Sequence, residues 1–234
     1  MDENRISDLG AKRQMRKFDN VVKKPWGYEY VAYENDECAL WFLHIRSGHS
    51  TSMHCHPKKT TGLILLDGLA EVSFMNDNYE LKPRHKIMIR KGLFHSTKAK
   101  SEEGICLFEV ETPVDKFDLV RLRDSYGREG KPYEDTSHEY PKVDDCLIIE
   151  DPEKNKEHTY ELADCKLRVC NIGDVGFFDE IEDDKNVMFL KGAIVTEYGI
   201  NVAGAGDIVS CKVIKELTKV FDQIKDETIV MVIE

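Results

Sequence analysis

The stretch that decides the fold is Gly48-His49-Ser50-Thr51-Ser52-Met53-His54-Cys55-His56, and a further histidine follows in Lys91-Gly92-Leu93-Phe94-His95. The run 50–56 is short, polar-alternating and free of helix caps, which predicts a strand. Side chains alternate along a strand with period two, so His54 and His56 point to the same face. If His95 lies on a neighbouring strand, three imidazoles meet there. Imidazole suits zinc, iron, nickel, copper or cobalt. The pattern therefore indicates a metal site with His54, His56 and His95 as ligands; ordinary core or surface histidines are the alternative that the pair alone leaves open.

The spacing around these histidines resembles the two motifs of the cupin superfamily. The first-motif positions are Gly48, His54, His56, Thr61 and Gly68. The second-motif positions are Arg84, Arg90-Lys91-Gly92 and His95. The resemblance implies an all-β fold, the cupin double-stranded β-helix or jelly-roll barrel, with the metal inside the barrel. Members of the superfamily typically hold the ion with two histidines and a glutamate of the first motif and a histidine of the second.

Two further segments resemble the mannose-6-phosphate isomerase (type II) cupin domain of the bifunctional mannose enzymes. The opening Arg-Pro-Trp-Gly of that domain is similar to Lys24-Pro25-Trp26-Gly27-Tyr28-Glu29. Its closing Asp-Ile-Val-Arg-x-x-Asp-x-Tyr-Gly-Arg is similar to Asp118-Leu119-Val120-Arg121-Leu122-Arg123-Asp124-Ser125-Tyr126-Gly127-Arg128. The resemblance runs from about Val22 to Arg128 and implies a sugar-processing cupin. We interpret Arg121, Asp124 and Arg128 as a salt-bridged tail beyond the barrel strands.

Three departures from the family pattern bear on the chemistry. The usual glutamate ligand falls on Thr61, the usual glutamine falls on Ser52, and Pro57-Lys58-Lys59 is inserted after His56. Three neutral imidazoles without a carboxylate leave a divalent ion its full charge. Such a centre can bind water or an anionic substrate oxygen. We therefore expect one divalent ion, with zinc first and iron, manganese or nickel as alternatives.

Candidates for catalysis and substrate binding flank the predicted ligands. Glu109 and Glu111 are candidate bases on one strand; we expect one of them to face inward and take Glu109 as the catalytic residue. Ser52 shares the face of the histidine pair. Lys59 and Lys91 flank the ligands, and a lysine at a barrel mouth can pair with a phosphate. Ser52, Lys59 and Lys91 are thus the predicted substrate-binding residues. The alternative is that both lysines are solvated loop residues.

Composition limits the class of protein. The chain has 234 residues, which suffices for one large or two small domains. Its formal net charge of −11 argues against nucleic-acid binding, which needs a basic surface. No apolar run is long enough for a membrane span, and residues 1–20 lack the apolar region of a signal peptide. The seven cysteines are scattered without a Cys-x-x-Cys pair, which predicts free, mostly buried thiols in a reducing cytoplasm.

The chain divides into four predicted segments. Residues 1–20 are a charged arm, helical over 10–18 and a candidate dimer contact. Residues 21–125 form the cupin barrel with the metal site, 126–144 are a linker, and 145–234 form a second domain. Short β-rich runs separated by turns are typical of a barrel or sandwich. The predicted barrel strands span residues 28–33, 39–45, 61–66, 70–74, 86–89 and 106–111.

The second half shows a faint repeat of the first. Residues 187–192 parallel 63–68, and residues 206–209 lie where a second motif would open. This alignment places Phe178 and Glu180 at the positions of His54 and His56, and no histidine follows His158. We interpret residues 145–234 as a second, degenerate cupin barrel without metal, which makes the chain a bicupin. The alternative is a smaller α+β appendage with a helix over residues 213–225.

Three functions remain open. The first is a metal-dependent isomerase resembling mannose-6-phosphate isomerase, acting on a sugar phosphate or nucleotide sugar in carbohydrate or surface-polysaccharide metabolism. There a metal polarises the sugar carbonyl and a base carries the proton between adjacent carbons. The second is a non-catalytic sugar-binding or sensing module. The third is a three-histidine iron dioxygenase. We expect a small-molecule partner, no nucleic acid, no membrane and, by analogy with cupins, a homodimer.

Overall fold

Strands dominate the part of the chain that the computed structural model describes, which is residues 21–115, 117–127 and 145–234. The predicted arm and most of the predicted linker, including Arg128, lie outside these residues. The α-helix within them, α1 (Cys211–Thr218), has eight residues. None of the described helices has the length and apolar character needed to cross a membrane. The prediction of an all-β fold is confirmed.

Residues 22–123 form two antiparallel sheets. In spatial order, the first sheet contains β1 (Val22–Lys24), β2 (Gly27–Glu34), β3 (Ala39–Ile45), β10 (Ile105–Thr112), β5 (Thr60–Asp67) and β8 (Lys86–Ile89). The second contains β11 (Val120–Arg123), β4 (Met53–Cys55), β9 (His95–Ala99), β6 (Ala70–Phe74) and β7 (Asn78–Leu81). From β3 onwards the chain crosses repeatedly between the two sheets. This is the jelly-roll arrangement that the resemblance to cupins implied.

The six predicted barrel strands are all present. The bounds of β3, β6 and β8 are those predicted, and β2, β5 and β10 are each longer by one residue at both ends. The predicted strand over residues 50–56 is wrong in extent, because only β4 is regular and Ser50 makes an isolated bridge to Lys98. Between Ser50 and β4, the hydroxyl oxygen of Thr51 accepts a hydrogen bond from the backbone N–H of Thr97 (2.9 Å). This side-chain contact interrupts the main-chain hydrogen-bond ladder between the two segments.

The two faces of the first sheet bury different partners. Alternate residues of a strand point to opposite faces. On β3, for example, Trp41 and Leu43 join the core inside the barrel. Leu40 and Phe42 point the other way, into a core cluster shared with the second half of the chain. The barrel sheet is therefore covered on both sides, and its outer face is an interface between the two halves.

The second half contains two further antiparallel sheets and two short helices. The larger sheet has the order β12 (Glu157–Leu162), β13 (Cys165–Ile172), β19 (Thr228–Ile233), β14 (Asn186–Lys191) and β17 (Ile208–Ser210). The smaller has the order β16 (Asn201–Gly204), β15 (Ala193–Val195) and β18 (Gln223–Ile224). A 3-10 helix (Val175–Glu180) lies between β13 and β14, and α1 lies between β17 and β18.

The strand order of the second half repeats that of the first. The order β12-β13-β19-β14-β17 occupies the positions of β2-β3-β10-β5-β8, and β16-β15-β18 occupies those of β7-β6-β9. The 3-10 helix takes the place of β4, the strand that carries the histidines. Its Phe178, aligned with His54, is fully buried in the apolar core of this half. We propose that residues 145–234 are a second, degenerate cupin domain. The helix of the alternative interpretation is shorter than expected and lies within this β framework.

The two halves pack through the outer faces of their larger sheets. Phe108 and Ile64 of the first half lie in one buried cluster with Met188 and Met231 of the second. Hydrogen bonds fix the edges of this interface. Lys86 donates from Nζ to the carbonyl of Ile208 (2.8 Å), for example. An apolar interface of this kind joins the halves into one structural unit.

All seven cysteines lie in the described residues and are free, five of them buried, as the sequence predicted.

Candidate metal centre

Three histidines converge inside the barrel of the first half. His54 lies on β4, His56 directly follows it, and His95 begins β9 directly opposite His54. Their ring centroids are 4.5 Å (His54–His95), 5.0 Å (His54–His56) and 5.6 Å (His56–His95) apart. All three side chains are buried, and one nitrogen of each lies within 4.8 Å of the others. Side-chain alternation along β4 and the pairing of β4 with β9 thus bring the three imidazoles into one cluster.

Backbone carbonyls fix the tautomer of each imidazole. Each Nδ1 lies within hydrogen-bond distance of one carbonyl oxygen: that of Ser52 for His54 (2.7 Å), Asp118 for His56 (2.5 Å) and Leu93 for His95 (3.0 Å). A carbonyl oxygen only accepts, so each Nδ1 is the protonated, donating nitrogen. The Nε2 lone pairs are left for the lumen, and Nε2 of His56 is buried without a hydrogen-bond partner. Metal-binding histidines are held in this way, and the three side chains fit a divalent ion.

Two carboxylates stand beside the histidines. Oε1 of Glu109 lies 3.8 Å from Nε2 of His56, and Oε1 of Glu111 lies 3.9 Å from the same atom. The expectation that only one of them faces inward is wrong. Residues two apart on a strand share a face, so β10 presents both glutamates to the lumen. These three residues form a second group with metal-ligand geometry.

Lys59 is a buried lumen residue. Its Nζ lies 2.6 Å from Oε1 of Glu111, and its side chain is 2% exposed. The inserted loop directs it inward because the carboxylate of Asp118 accepts the backbone N–H groups of Lys58 (2.8 Å) and Lys59 (2.9 Å). For Lys59 the solvated-loop alternative is therefore wrong. Asp118, whose carbonyl also positions His56, was missed as a site residue.

A cavity of about 90 Å³ opens onto the cluster. A bound water needs roughly 10–15 Å³ by this measure, so the cavity has room for an ion, its waters and one end of a ligand. Its apolar wall consists of Trp26, Trp41, Leu43 and Leu119. Its charged groups are Lys24, Lys59, Arg121, Glu29, Glu109 and Glu111, among which Lys24 and Glu29 form an ion pair of 3.3 Å.

Comparison with known proteins shows which family the first half of the chain resembles. Residues 11–124 match the model of the family described as mannose-6-phosphate isomerase C-terminal. The first half of the chain is a cupin that resembles this family. Comparison with curated proteins gave no match.

Three solved structures show similarity to part of the chain. An uncharacterized conserved protein with a double-stranded β-helix domain from Klebsiella pneumoniae is 18% identical over 41% of this chain and 84% of its own (TM-score 0.38). KdgF from Halomonas sp. is 13% identical over 42% and 88% (TM-score 0.38). A putative sugar phosphate isomerase from Acidithiobacillus ferrooxidans is 18% identical over 34% and 52% (TM-score 0.32).

Burial and neighbouring charges shift the pKa values of the ionisable side chains of this cupin site in different directions. Burial, together with the other two histidines, holds the pKa of His54 well below its usual value, and burial lowers the pKa of His95. Burial also opposes the charged form of His56, but Glu109 outweighs it and raises the pKa of His56. Burial and the charge of Glu109 raise the pKa of Glu111, whereas His56 outweighs burial and lowers the pKa of Glu109.

The remaining predicted residues differ in their position relative to the cavity. Ser52 is buried and lines the cavity. Lys91 lies exposed in a turn and is not among the lining residues of the cavity. The interpretation of Arg121 as part of a tail is wrong, since it lies on β11 opposite His54 and lines the cavity. The alternation Val120, Arg121, Leu122, Arg123 was the available signal for that strand.

Proposed function

We propose that the first domain is a metal-dependent isomerase of sugar phosphates. The observation that carries the proposal is the set of three buried imidazoles whose Nδ1 atoms are all engaged by backbone carbonyls. This set lies beside two carboxylates, in a domain that resembles the mannose-6-phosphate isomerase family. An aldose–ketose isomerisation needs a Lewis acid at the carbonyl and a group that moves a proton.

The ligand set proposed for the ion is His54, His56 and His95. Neutral imidazoles and an open position suit zinc, and iron, manganese or nickel are alternatives with the same donors. When bound, the ion supplies polarisation of the carbonyl of an open-chain sugar. The lowered pKa values of His54 and His95 keep both imidazoles neutral at pH 7, which is the form that a metal needs.

Proton transfer is assigned to one of the two lumen glutamates. Glu109, the candidate from sequence, and Glu111 both reach the lumen, and the charges around them push their pKa values in opposite directions. Opposite shifts of this kind give two neighbouring carboxylates different roles at neutral pH. A carboxylate at this position takes a proton from one sugar carbon and returns it to the neighbouring carbon.

The charge of the cavity favours an anionic substrate. Three cations (Lys24, Lys59 and Arg121) balance the three glutamates that line it. A divalent ion then gives the cavity a net positive charge, which attracts a phosphate or another anion. Arg121 presents a planar guanidinium that suits a phosphate. Ser52 is the proposed hydroxyl partner of the sugar.

Metal content and turnover test this proposal together. We expect about one tightly held ion per chain in the wild type by elemental analysis, and loss of most of it in His54→Ala and in His95→Ala. Hexose phosphates should then be turned over under nitrogen, because isomerisation needs no oxygen. Metal retained in both variants contradicts the site, and a wild type that takes up neither zinc, iron, manganese nor nickel contradicts the proposal as a whole.

A non-catalytic sugar-binding module is the second candidate. The observation that favours it is Thr61, which stands where the family's usual carboxylate ligand is expected. Such a module should show a thermal shift with sugar phosphates or nucleotide sugars but no turnover. Oxygen uptake with Fe(II) and substrate would instead support a dioxygenase.

A further inference from the structure

The carboxylates of the lumen lie on a different strand from the one that the cupin motifs predict. The motif position is Thr61 on β5, which is buried and whose Oγ1 has no hydrogen-bond partner. Thr61 is directly opposite Glu111 in the β5–β10 register. Residues directly opposite in an antiparallel pair project from the same face, with Cβ atoms about 5 Å apart. Position 61 therefore faces the same part of the lumen as the two glutamates.

We infer that Glu109 is the fourth protein ligand of the metal, so that β10 supplies the carboxylate that β5 lacks. This inference rests on the proposed metal site formed by the three histidines. Oε1 of Glu109 lies 3.8 Å from Nε2 of His56, and its charge also acts on His95. Ligand atoms of a tetrahedral zinc site with bonds near 2.0 Å are about 3.3 Å apart. A movement of about half an ångström brings this oxygen to that separation from Nε2 of His56, the histidine with which it already shares a group of potential ligands.

The neighbouring carboxylate, that of Glu111, is already engaged in an ion pair with Lys59. Lys59 holds Oε1 of Glu111 at 2.6 Å, and the loop that carries Lys59 is itself tied to the carboxylate of Asp118. The inserted lysine thus separates the roles of two glutamates on one face. Glu109 is directed to the ion, and Glu111 remains for proton transfer. Coordination by Glu109 lowers the net charge of the three-histidine centre by one.

Zinc affinity of three full-length proteins tests the inference: wild type, Glu109→Gln and Lys59→Met/Glu111→Leu. Competition with a chromophoric chelator measures the affinity, and the visible spectrum of bound cobalt reports the ligand set. We expect Glu109→Gln to bind zinc at least tenfold more weakly and to have a changed cobalt spectrum, because an anionic carboxylate ligand is replaced by a neutral and weaker amide. The double variant removes a lysine and a glutamate together, keeps the net charge and should retain zinc affinity within about twofold.

A rescue experiment separates coordination from a structural effect. Thr61→Glu, added to Glu109→Gln, places a carboxylate at the motif position and should recover zinc affinity and the cobalt spectrum. The inference is overturned if Glu109→Gln keeps wild-type affinity and spectrum while His54→Ala loses the metal; the three-histidine site then stands without Glu109. If the wild type binds neither zinc nor cobalt, and takes up no iron, manganese or nickel either, the proposed function fails and the inference fails with it.

Discussion

Replacement of Lys59 by methionine should destabilise the protein in a pH-dependent way. Nζ of Lys59 lies 2.6 Å from Oε1 of Glu111, and the two side chains are 2% and 9% exposed. Methionine keeps the apolar stem of lysine and removes only its charge. Glu111 is then left buried beside the carboxylate of Glu109 with no opposing charge from position 59.

The loss of folding stability depends on whether Glu111 is charged or protonated in the folded variant. An uncompensated buried charge costs about 3–5 kcal/mol. Glu111 avoids that cost by binding a proton, which requires about 1.36 kcal/mol per pH unit above its unfolded pKa of about 4.3. Protonation therefore limits the loss to about 3.7 kcal/mol at pH 7 and about 1 kcal/mol at pH 5. Because the folded variant binds a proton that the unfolded chain releases, its stability rises as the pH falls.

Urea unfolding at pH 5, 6 and 7 in the presence of a chelator measures this dependence on metal-free protein. The control is Lys59→Met/Glu111→Leu, in which both charges are removed and an apolar pair fills the space. Such replacements are often neutral or stabilising, so the double variant should be within about 1 kcal/mol of the wild type and nearly independent of pH. A single-variant loss of equal size at pH 5 and pH 7 would refute the reasoning, as would a double variant no more stable than the single.

Three further predictions concern the site, the interface and the backbone. Because Glu109 raises the pKa of His56, a metal ion must displace a proton from this imidazole. Metal affinity, measured by chelator competition, should therefore rise between pH 6 and 8. An affinity that does not change with pH contradicts this prediction. Phe108→Ala, at a fully buried position between the two halves, should cost about 3–5 kcal/mol in a single urea transition. Two separate transitions would argue against one structural unit. Gly27→Ala should fail to fold, because Gly27 has φ +156° and an added Cβ would lie 1.9 Å from a carbonyl oxygen. Gly48→Ala, where an added Cβ meets open space, should cost only about 1 kcal/mol. Equal effects of the two substitutions on stability would contradict this explanation.

The barrel was predictable because its signals are local. Apolar runs bounded by turns located β3, β6 and β8 with the correct bounds. The histidine spacing gave the cluster, since period-two alternation and one neighbouring strand suffice to bring three imidazoles together. β7 was missed because its sequence Asn78-Tyr79-Glu80-Leu81 is mostly polar and three of its four residues are exposed, so burial did not shape its pattern.

The inward direction of Lys59 and the position of Arg121 depend on long-range contacts. Lys59 points into the lumen because its loop is bound by Asp118, a residue distant in sequence. Arg121 reaches the cavity because β11 pairs with β4, and a pairing between distant strands leaves little trace in either segment. The pairing of Glu109 and Glu111 on one face, in contrast, was available from period two alone.

The two halves together indicate why the charged lumen exists. Both have the same strand order, but the buried charged side chains of the described residues all lie in the first half, where they include Lys24, Lys59 and Glu111. In the second half the ligand-bearing strand is replaced by a 3-10 helix, and Phe178 fills the interior. Burying charge generally adds little to stability compared with apolar packing. The second half holds this topology with an apolar interior, so the fold itself does not require the charged cluster. We therefore attribute the cluster of the first half to binding and chemistry.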